Sequence, residues 1–166
     1  MARRISQEKV VSARSSATVA GNTVAKIVKN IDGHPLLYFD ELLVYLDLNT
    51  ALVGTSPTFD IYLQRAVVAD PVDATDAHWT DLAAFPQATT GTMEKVMLLP
   101  YTQVGGTSGA GRVTNARDRT HATMSADAIY PNHWGDQIRI VEKMGGTITT
   151  QAIYDVTITG IQHGAP

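Results

Sequence analysis

The stretch at residues 42–64, LLVYLDLNTALVGTSPTFDIYLQ, decides the fold of this chain. Every second residue of 42–48 is Leu or Val, which is the period of two of a β-strand with one buried face. A second alternating run occupies residues 59–64, and the Gly, Ser and Pro of residues 53–57 between the two runs favour a reversal of the chain. The stretch therefore predicts a β-hairpin with an apolar inner face.

The same pattern returns near the C-terminus. Residues 137–144 lead into a Gly-Gly pair, and a further alternating run follows in which Tyr154, Val156 and Ile158 would face inward. Two hairpins of this kind predict two facing sheets, and no segment has the spacing of a long amphipathic helix. The chain is therefore predicted to be all-β, an antiparallel, jelly-roll-like β-sandwich with an extended N-terminal arm.

Basic residues are concentrated at the start of the chain. Residues 1–30 hold six of them against Glu8 alone, a balance of +5, whereas residues 31–166 carry −8. We therefore divide the chain into a basic, extended arm at residues 1–30 and a β-sandwich domain at residues 31–166. Because an arm of this composition does not fold alone, we expect contacts with the body or a partner to order it. The partner-binding residues expected in the arm are Arg3, Arg4, Lys9 and Arg14.

The acidic remainder and the lack of cysteine exclude several functions. Carboxylates that outnumber cations repel phosphate, so we expect no direct contact with nucleic acid. Without cysteine the chain has no disulfide, no thiolate nucleophile and no cysteine-ligated zinc. The first residues lack the apolar core of a signal peptide, and no run reaches membrane-spanning length. We therefore expect no membrane association and no export by the usual signal.

Catalytic motifs are incomplete in this sequence. Gly106 and Gly111 have the spacing of a phosphate-binding loop, but Arg112 and Val113 stand where that loop needs Lys and Ser or Thr. A Gly-x-Ser-x-Gly elbow is absent, and no two histidines have the spacing of a zinc-binding helix. We therefore expect no enzyme, no catalytic residue and no cofactor. The histidines considered were His34, His78, His121, His133 and His163.

One acidic loop is a candidate metal site. Asp70, Asp73, Asp76 and His78 could supply ligands, but calcium loops place oxygen ligands at alternating positions with Gly at the bend. Here the carboxylates are three residues apart, and Pro71 stiffens the start of the loop. The pattern favours a solvated acidic loop without metal, and calcium binding is left as the alternative.

Aromatic residues allow two interpretations. Flat rings can stack on sugars, but in a sandwich they more often fill the core or an interface. Trp79 is expected in the core together with Leu82 and Phe85, and the sequence does not separate the two uses for the others. The aromatics considered for a sugar-binding platform were Tyr38, Tyr62, Trp79, Tyr101, Tyr130 and Trp134.

Several of these segments together resemble small virion proteins of tailed bacteriophages. The resemblance lies in the strand at residues 46–48, the Gly-Thr-Ser-Pro turn, the Asp-bearing strand that ends in Gln64, and the Trp-x-Asp segment at residues 79–82. The later segments at residues 135–140 and 145–147 are similar to the closing hairpin of that family. The resemblance covers roughly residues 42–160, and its motifs are structural rather than catalytic.

This resemblance implies a capsid decoration, or cement, protein on the virion surface. Such a protein would bind the major capsid protein by non-covalent contacts and would form a homo-oligomer, with a trimer favoured. The alternative is a carbohydrate- or receptor-binding sandwich of a tail or head fibre. Apolar residues on the nominally outer strand faces are the expected oligomer interface: Leu43, Tyr45, Tyr62, Val141 and Ile153.

Overall fold

The described residues of the chain contain ten β-strands, and eight of these build two four-stranded antiparallel sheets. A computed structural model describes residues 4–89, 91–100 and 134–163. Sheet A has the strand order β1-β10-β5-β8, sheet B has the order β2-β9-β6-β7, and β3 and β4 form a short separate ribbon. The strands are β1 (Arg4–Ser15), β2 (Gly21–Val28), β3 (Asn30–Ile31), β4 (His34–Pro35), β5 (Glu41–Thr50), β6 (Val53–Ala66), β7 (Trp79–Ala84), β8 (Met93–Pro100), β9 (Ile138–Thr150) and β10 (Ile153–Gln162).

The connections between the long strands repeatedly cross from one sheet to the other. Four pairs of consecutive strands have one strand in sheet A and the other in sheet B: β1 and β2, β5 and β6, β7 and β8, and β9 and β10. The chain therefore forms four bent ribbons side by side, which is a jelly-roll-like wrapping of two sheets. This confirms the predicted all-β antiparallel sandwich. Helical structure in the described residues is limited to the 3₁₀ turns Leu36–Tyr38 and Asp76–His78, and none of it could cross a membrane.

The predicted hairpin at residues 42–64 is wrong in its pairing. β5 and β6 are strands as expected, but β5 pairs with β10 and β8, whereas β6 pairs with β9 and β7. The chain turns at residues 51–52, and the Gly-Thr-Ser-Pro segment lies inside β6 as a bulge, with Ser56 at φ 47°. Gly, Ser and Pro suit a bulge as well as a turn, so composition did not distinguish them.

The second predicted hairpin is likewise a corner between the sheets. Thr50 pairs with Ile153, and Val53 pairs with Thr150, so the two corners lie against each other in antiparallel register. Leu52 and Ala152 occupy equivalent places in them, and both are buried. The similarity between the two sequence stretches therefore corresponds to two bent ribbons that pair with each other along both sheets.

The core lies between the sheets and uses the alternating residues that the sequence indicated. Each buried side chain of this kind contributes about 1.5–3 kcal/mol relative to an exposed one. Residues at most 1% exposed include Leu42, Val44, Leu46 and Leu48 of β5, Phe59, Ile61 and Leu63 of β6, and Tyr154, Val156 and Ile158 of β10. The inward faces of these three strands are therefore as predicted.

The segment that the sequence set apart as an arm supplies an edge strand to each sheet. β1 pairs with β10 at nine positions, and β2 pairs with β9. Val10 and Val11 of β1 are buried in the core. The segment is extended, as predicted, and is ordered by contacts with the body of the same chain. Register shifts around Val11 and Arg14 interrupt the alternation of apolar and polar residues in β1. For this reason the sequence pattern did not predict a strand there.

Candidate binding surface

The outer faces of the two sheets differ in exposure. On sheet B the outward residues Tyr62, Gln64, Arg139 and Val141 are all buried, and burial raises the pKa of Tyr62 to about 12. On sheet A the outward side chains of β8 are exposed, since Val96 is 60% and Leu98 46% accessible. Of these described residues, those on sheet A are therefore the more open to solvent.

This open surface, called the sheet A face below, is built from four neighbouring strands. Cross-strand register aligns the residues in two rows, and side chains at such positions contact one another. A shallow groove of about 480 Å³ follows the rows. One row consists of Gln7, Thr159, Leu43 and Leu98, and the next of Lys9, Thr157, Tyr45 and Val96.

A third row bounds the sheet A face with negative charge. Asp155, Asp47 and Glu94 are consecutive cross-strand neighbours on β10, β5 and β8, and we call them the acidic row. Among the described residues neither Asp47 nor Glu94 forms an ion pair. The pKa of Tyr45 lies above its ordinary value, first through loss of solvation and then through the charges of Asp47 and Glu94. The acidic row therefore concentrates negative potential beside an apolar surface.

Asp155 has a second role, because it also fixes the β1 bulge. Its Oδ1 accepts the backbone N–H of Ala13 at 2.6 Å, and its Oδ2 accepts from Asn49 at 3.1 Å and Lys9 at 3.3 Å. These bonds, that of Ala13 above all, hold the pKa of Asp155 below its usual value. Lys9, expected to bind a partner, is therefore engaged with Asp155 at the edge of the sheet A face.

The other expected arm residues have different surroundings. Arg14 reaches into the sandwich, where its Nη2 donates to Glu142 Oε1 at 3.0 Å. Burial alone would lower the pKa of Arg14, but the hydrogen bond and charge of Glu142 outweigh it and raise the pKa. Arg4 begins β1, and Arg3 lies outside the described residues. Lys9 and Arg14, whose side chains the structure describes, are therefore both engaged by carboxylates of the same chain.

The five expected interface residues lie in three places. Leu43 and Tyr45 are half-buried on the sheet A face. Tyr62 and Val141 lie on the outer side of sheet B, where they are 5% and 0% exposed within the single chain. Ile153 is half-buried at the corner between β9 and β10. Two of the five can therefore contribute to the sheet A face, and two others are already covered.

Trp79 is buried as expected, but on the outer side of sheet B rather than between the sheets. Its ring lies 4.9 Å from the guanidinium carbon of Arg139, and its Nε1 donates to the carbonyl of Val72 at 3.1 Å. Arg139 Nε donates to Gln64 Oε1 at 2.7 Å, and Gln64 Nε2 donates to Asp81 Oδ1 at 2.6 Å. Arg139, Gln64 and Asp81 therefore form a buried, hydrogen-bonded network on the outer side of sheet B.

The acidic loop is organised by hydrogen bonds within the chain. His78 Nδ1 accepts the backbone N–H of Val72 at 3.0 Å, and Arg139 Nη1 donates to the Asp73 carbonyl. Asp70 is exposed. In the described part of the chain no three His, Asp or Glu residues are grouped so that they could hold a metal ion. The Gly-rich segment at residues 105–111 lies outside the described residues.

The aromatic candidates do not assemble into a described sugar-binding platform. Tyr62, Trp79 and Trp134 are buried, and Trp134 donates its Nε1 to the Leu36 carbonyl at 3.2 Å. Tyr38 is half-buried and stacks on His34 at 4.9 Å between ring centroids. Tyr101, Tyr130, His121 and His133 lie outside the described residues.

Sequence reasoning missed Val96 and Leu98, the exposed apolar residues that β8 contributes to the sheet A face. Both faces of β8 carry apolar side chains, because the buried Met97 and Leu99 alternate along the strand with the exposed Val96 and Leu98. Comparisons with models of protein families, with curated proteins and with solved structures found no match to this chain.

Proposed function

We propose that this chain is a bacteriophage capsid decoration, or cement, protein that binds the head and stabilises it by non-covalent contacts. The observation that carries the proposal is the sheet A face, an open and partly apolar sheet surface on which Val96 and Leu98 are exposed. Contiguous exposed apolar patches are typical of interaction sites. The partner in this proposal is the major capsid protein, and the location is the capsid surface.

Fold and sequence resemblance both support a virion role. Jelly rolls occur in viral capsid proteins and in lectins, so the fold is compatible with either a structural or a sugar-binding function. The resemblance of residues 46–64 and 79–82 to small phage virion proteins favours the structural function. The burial of Tyr62, Trp79 and Trp134 removes three of the rings that a sugar-binding platform would have used. Carbohydrate or receptor binding is therefore the alternative rather than the conclusion.

Attachment in this proposal is a matter of surface burial, without catalysis, cofactor or nucleic acid. An aliphatic side chain that moves fully out of water contributes about 1.5–3 kcal/mol, before the cost of association is subtracted. Val96 and Leu98 are accessible enough to gain from such burial. Several copies joined as a homo-oligomer, with a trimer favoured, would bind the shell far more strongly than one copy alone.

The test uses particles of the phage whose genome encodes this chain. Purified heads are examined by mass spectrometry for the protein and by electron cryo-microscopy for its position. Regular copies on the head exterior are the expected result, and purified protein should rebind heads from which it has been removed. Absence from the particles, or binding to a glycan array in place of heads, would overturn the proposal.

A further inference from the structure

We propose that the sheet A face is the surface that docks on the shell, and that its occupant is a protein surface with apolar side chains flanked by Lys or Arg. This inference rests on the proposed function and adds the contact surface and the chemistry of the partner. It joins two observations on neighbouring rows of the same sheet, the exposed apolar residues and the acidic row.

The apolar part defines where the partner packs. Leu43 and Leu98 are opposite each other in the register of β5 and β8, and Tyr45 and Val96 form the next pair. The threonines of β10 extend this surface, so that a groove of about 480 Å³ lies across the strands. An interface core of aliphatic residues and one tyrosine with little charge is typical of protein–protein contacts.

The acidic row defines the charge of the partner. Asp155, Asp47 and Glu94 stand side by side, and like charges at directly opposite positions are unfavourable. Lys9 neutralises one end of the row through Asp155, whereas no cation among the described residues pairs with Asp47 or Glu94. A Lys or Arg from a partner placed beside these two carboxylates would relieve the repulsion. Electrostatic complementarity of this kind selects basic partners and rejects acidic ones.

A second copy of the chain fits this surface less well. Two copies could pack sheet A face against sheet A face with corresponding rows opposite each other. The acidic row of one copy would then contact the acidic row of the other, which is unfavourable. On the outer side of sheet B, Tyr62, Arg139 and Val141 are buried, so these three residues offer a partner less accessible surface than Val96 and Leu98 do. The observations therefore favour a basic protein surface as the occupant of the sheet A face.

The first experiment uses the absence of cysteine, which makes any introduced thiol unique. Val96→Cys places a thiol on the sheet A face, and Val72→Cys places one on a loop away from it, where Val72 is 54% exposed. Maleimide labelling rates are measured for the free protein and for protein bound to heads. Binding is expected to slow labelling of Val96→Cys by about ten-fold or more, because interface cores exclude water, and to leave Val72→Cys unchanged.

The second experiment tests the charge of the partner. Glu94→Lys reverses one charge of the acidic row, and Asp70→Lys makes the same change of net charge on the exposed loop. The affinity for heads should fall about ten-fold for Glu94→Lys and remain near that of the unmodified protein for Asp70→Lys. Circular dichroism and thermal melting of both variants establish that they are folded before binding is measured.

The outcomes separate this inference from the proposed function. Decorated heads on which Val96→Cys reacts as fast as in free protein would overturn the docking face and leave the decoration function intact. Labelling that slows with protein concentration in the absence of heads would assign the face to a second copy. Equal losses of affinity for heads in Glu94→Lys and Asp70→Lys would show that only net charge matters. That result would overturn the proposal of a basic partner surface beside the acidic row. Protein that never appears on heads would refute the decoration function itself.

Discussion

Arg14 and Glu142 form an ion pair across the interior of the sandwich, with Arg14 Nη2 3.0 Å from Glu142 Oε1. Arg14 belongs to β1 at the edge of sheet A, and Glu142 belongs to β9 in the middle of sheet B. Tyr154 donates its hydroxyl to the other oxygen of Glu142 at 3.1 Å. A carboxylate with no solvent exposure thus receives two donors, and the N-terminal strand is tied to the opposite sheet.

The first prediction concerns this pair. Arg14→Ala should lower the free energy of unfolding by about 3 kcal/mol, because it leaves the buried charge of Glu142 without its cation. Lys9→Ala is the matched control on the same strand, since the Lys9 side chain is 52% exposed and a pair at the surface is worth about 0.2–1 kcal/mol. Urea unfolding of both variants gives the comparison. Equal losses would show that the Arg14 pair is no stronger than a surface pair.

The second prediction concerns the strand that carries Arg14. Deletion of residues 1–15 should abolish cooperative folding, because it removes nine paired positions of β1 and uncovers β10. The exposed edge of β10 would then be a template for aggregation. Deletion of residues 1–3, which precede β1, is the control and should leave the thermal melt unchanged. Circular dichroism and light scattering report the outcome, and a folded, monomeric 1–15 deletion would show that β1 is dispensable.

The alternation of apolar residues predicted the strands and their inner faces but not their partners. The period of two along residues 42–48 defines which side chains are buried, and it is the same whether β5 pairs with β6 or with β10. For β1, the left-handed conformation of Ala13 at φ 44° interrupts the pattern, so an edge strand resembled an arm. For Val96 the period of two is lost, because residues 96–99 of β8 are all apolar.

The burial of charged residues inside the molecule also could not be predicted from the sequence. Arg139 and Glu142 lie on opposite faces of β9, and both are fully buried. Charged residues are rarely buried unless they are paired, so a sequence reading places them outside. Their partners, Gln64 for Arg139 and Arg14 for Glu142, are remote in sequence and become visible only with the sheet register. Predicting these sites requires the pairing of strands, which local patterns do not contain.

The third prediction concerns the bulge in β6. A Cβ at Gly146, where φ is +74°, would lie 2.2 Å from the carbonyl oxygen of Ser56. Gly146→Ala should therefore destabilise the protein through both the backbone conformation and a collision with main chain. Gly91→Ala is the matched control, because its φ of +86° is similar and no atom lies within 4 Å of the added Cβ. Gly146→Ala is expected to cost about 1–3 kcal/mol more than Gly91→Ala by urea unfolding. Equal costs would show that the bulge yields without strain.

The last prediction concerns pH and Asp155. Hydrogen bonds, first that of the Ala13 N–H, depress the folded-state pKa of Asp155 below the unfolded value of about 3.9. A depressed pKa contributes stability that is present above the unfolded value and is lost as the pH falls through the folded value. Asp155→Asn should therefore be about 1 kcal/mol less stable than the unmodified protein at pH 7, a modest loss because the site is partly exposed.

Asp60 is the internal control, because its pKa shift has the opposite sign. Burial raises the folded-state pKa of Asp60, although the amide of Gln87 donates to both of its oxygens at 3.0 and 3.1 Å. Its contribution to stability is therefore lost as the pH rises through the raised pKa. In unfolding measurements at several pH values, the stability gap between unmodified protein and variant should widen with rising pH for Asp155→Asn and narrow for Asp60→Asn. The same trend in both variants would contradict the assignment, because the two carboxylates would then not be in opposite environments.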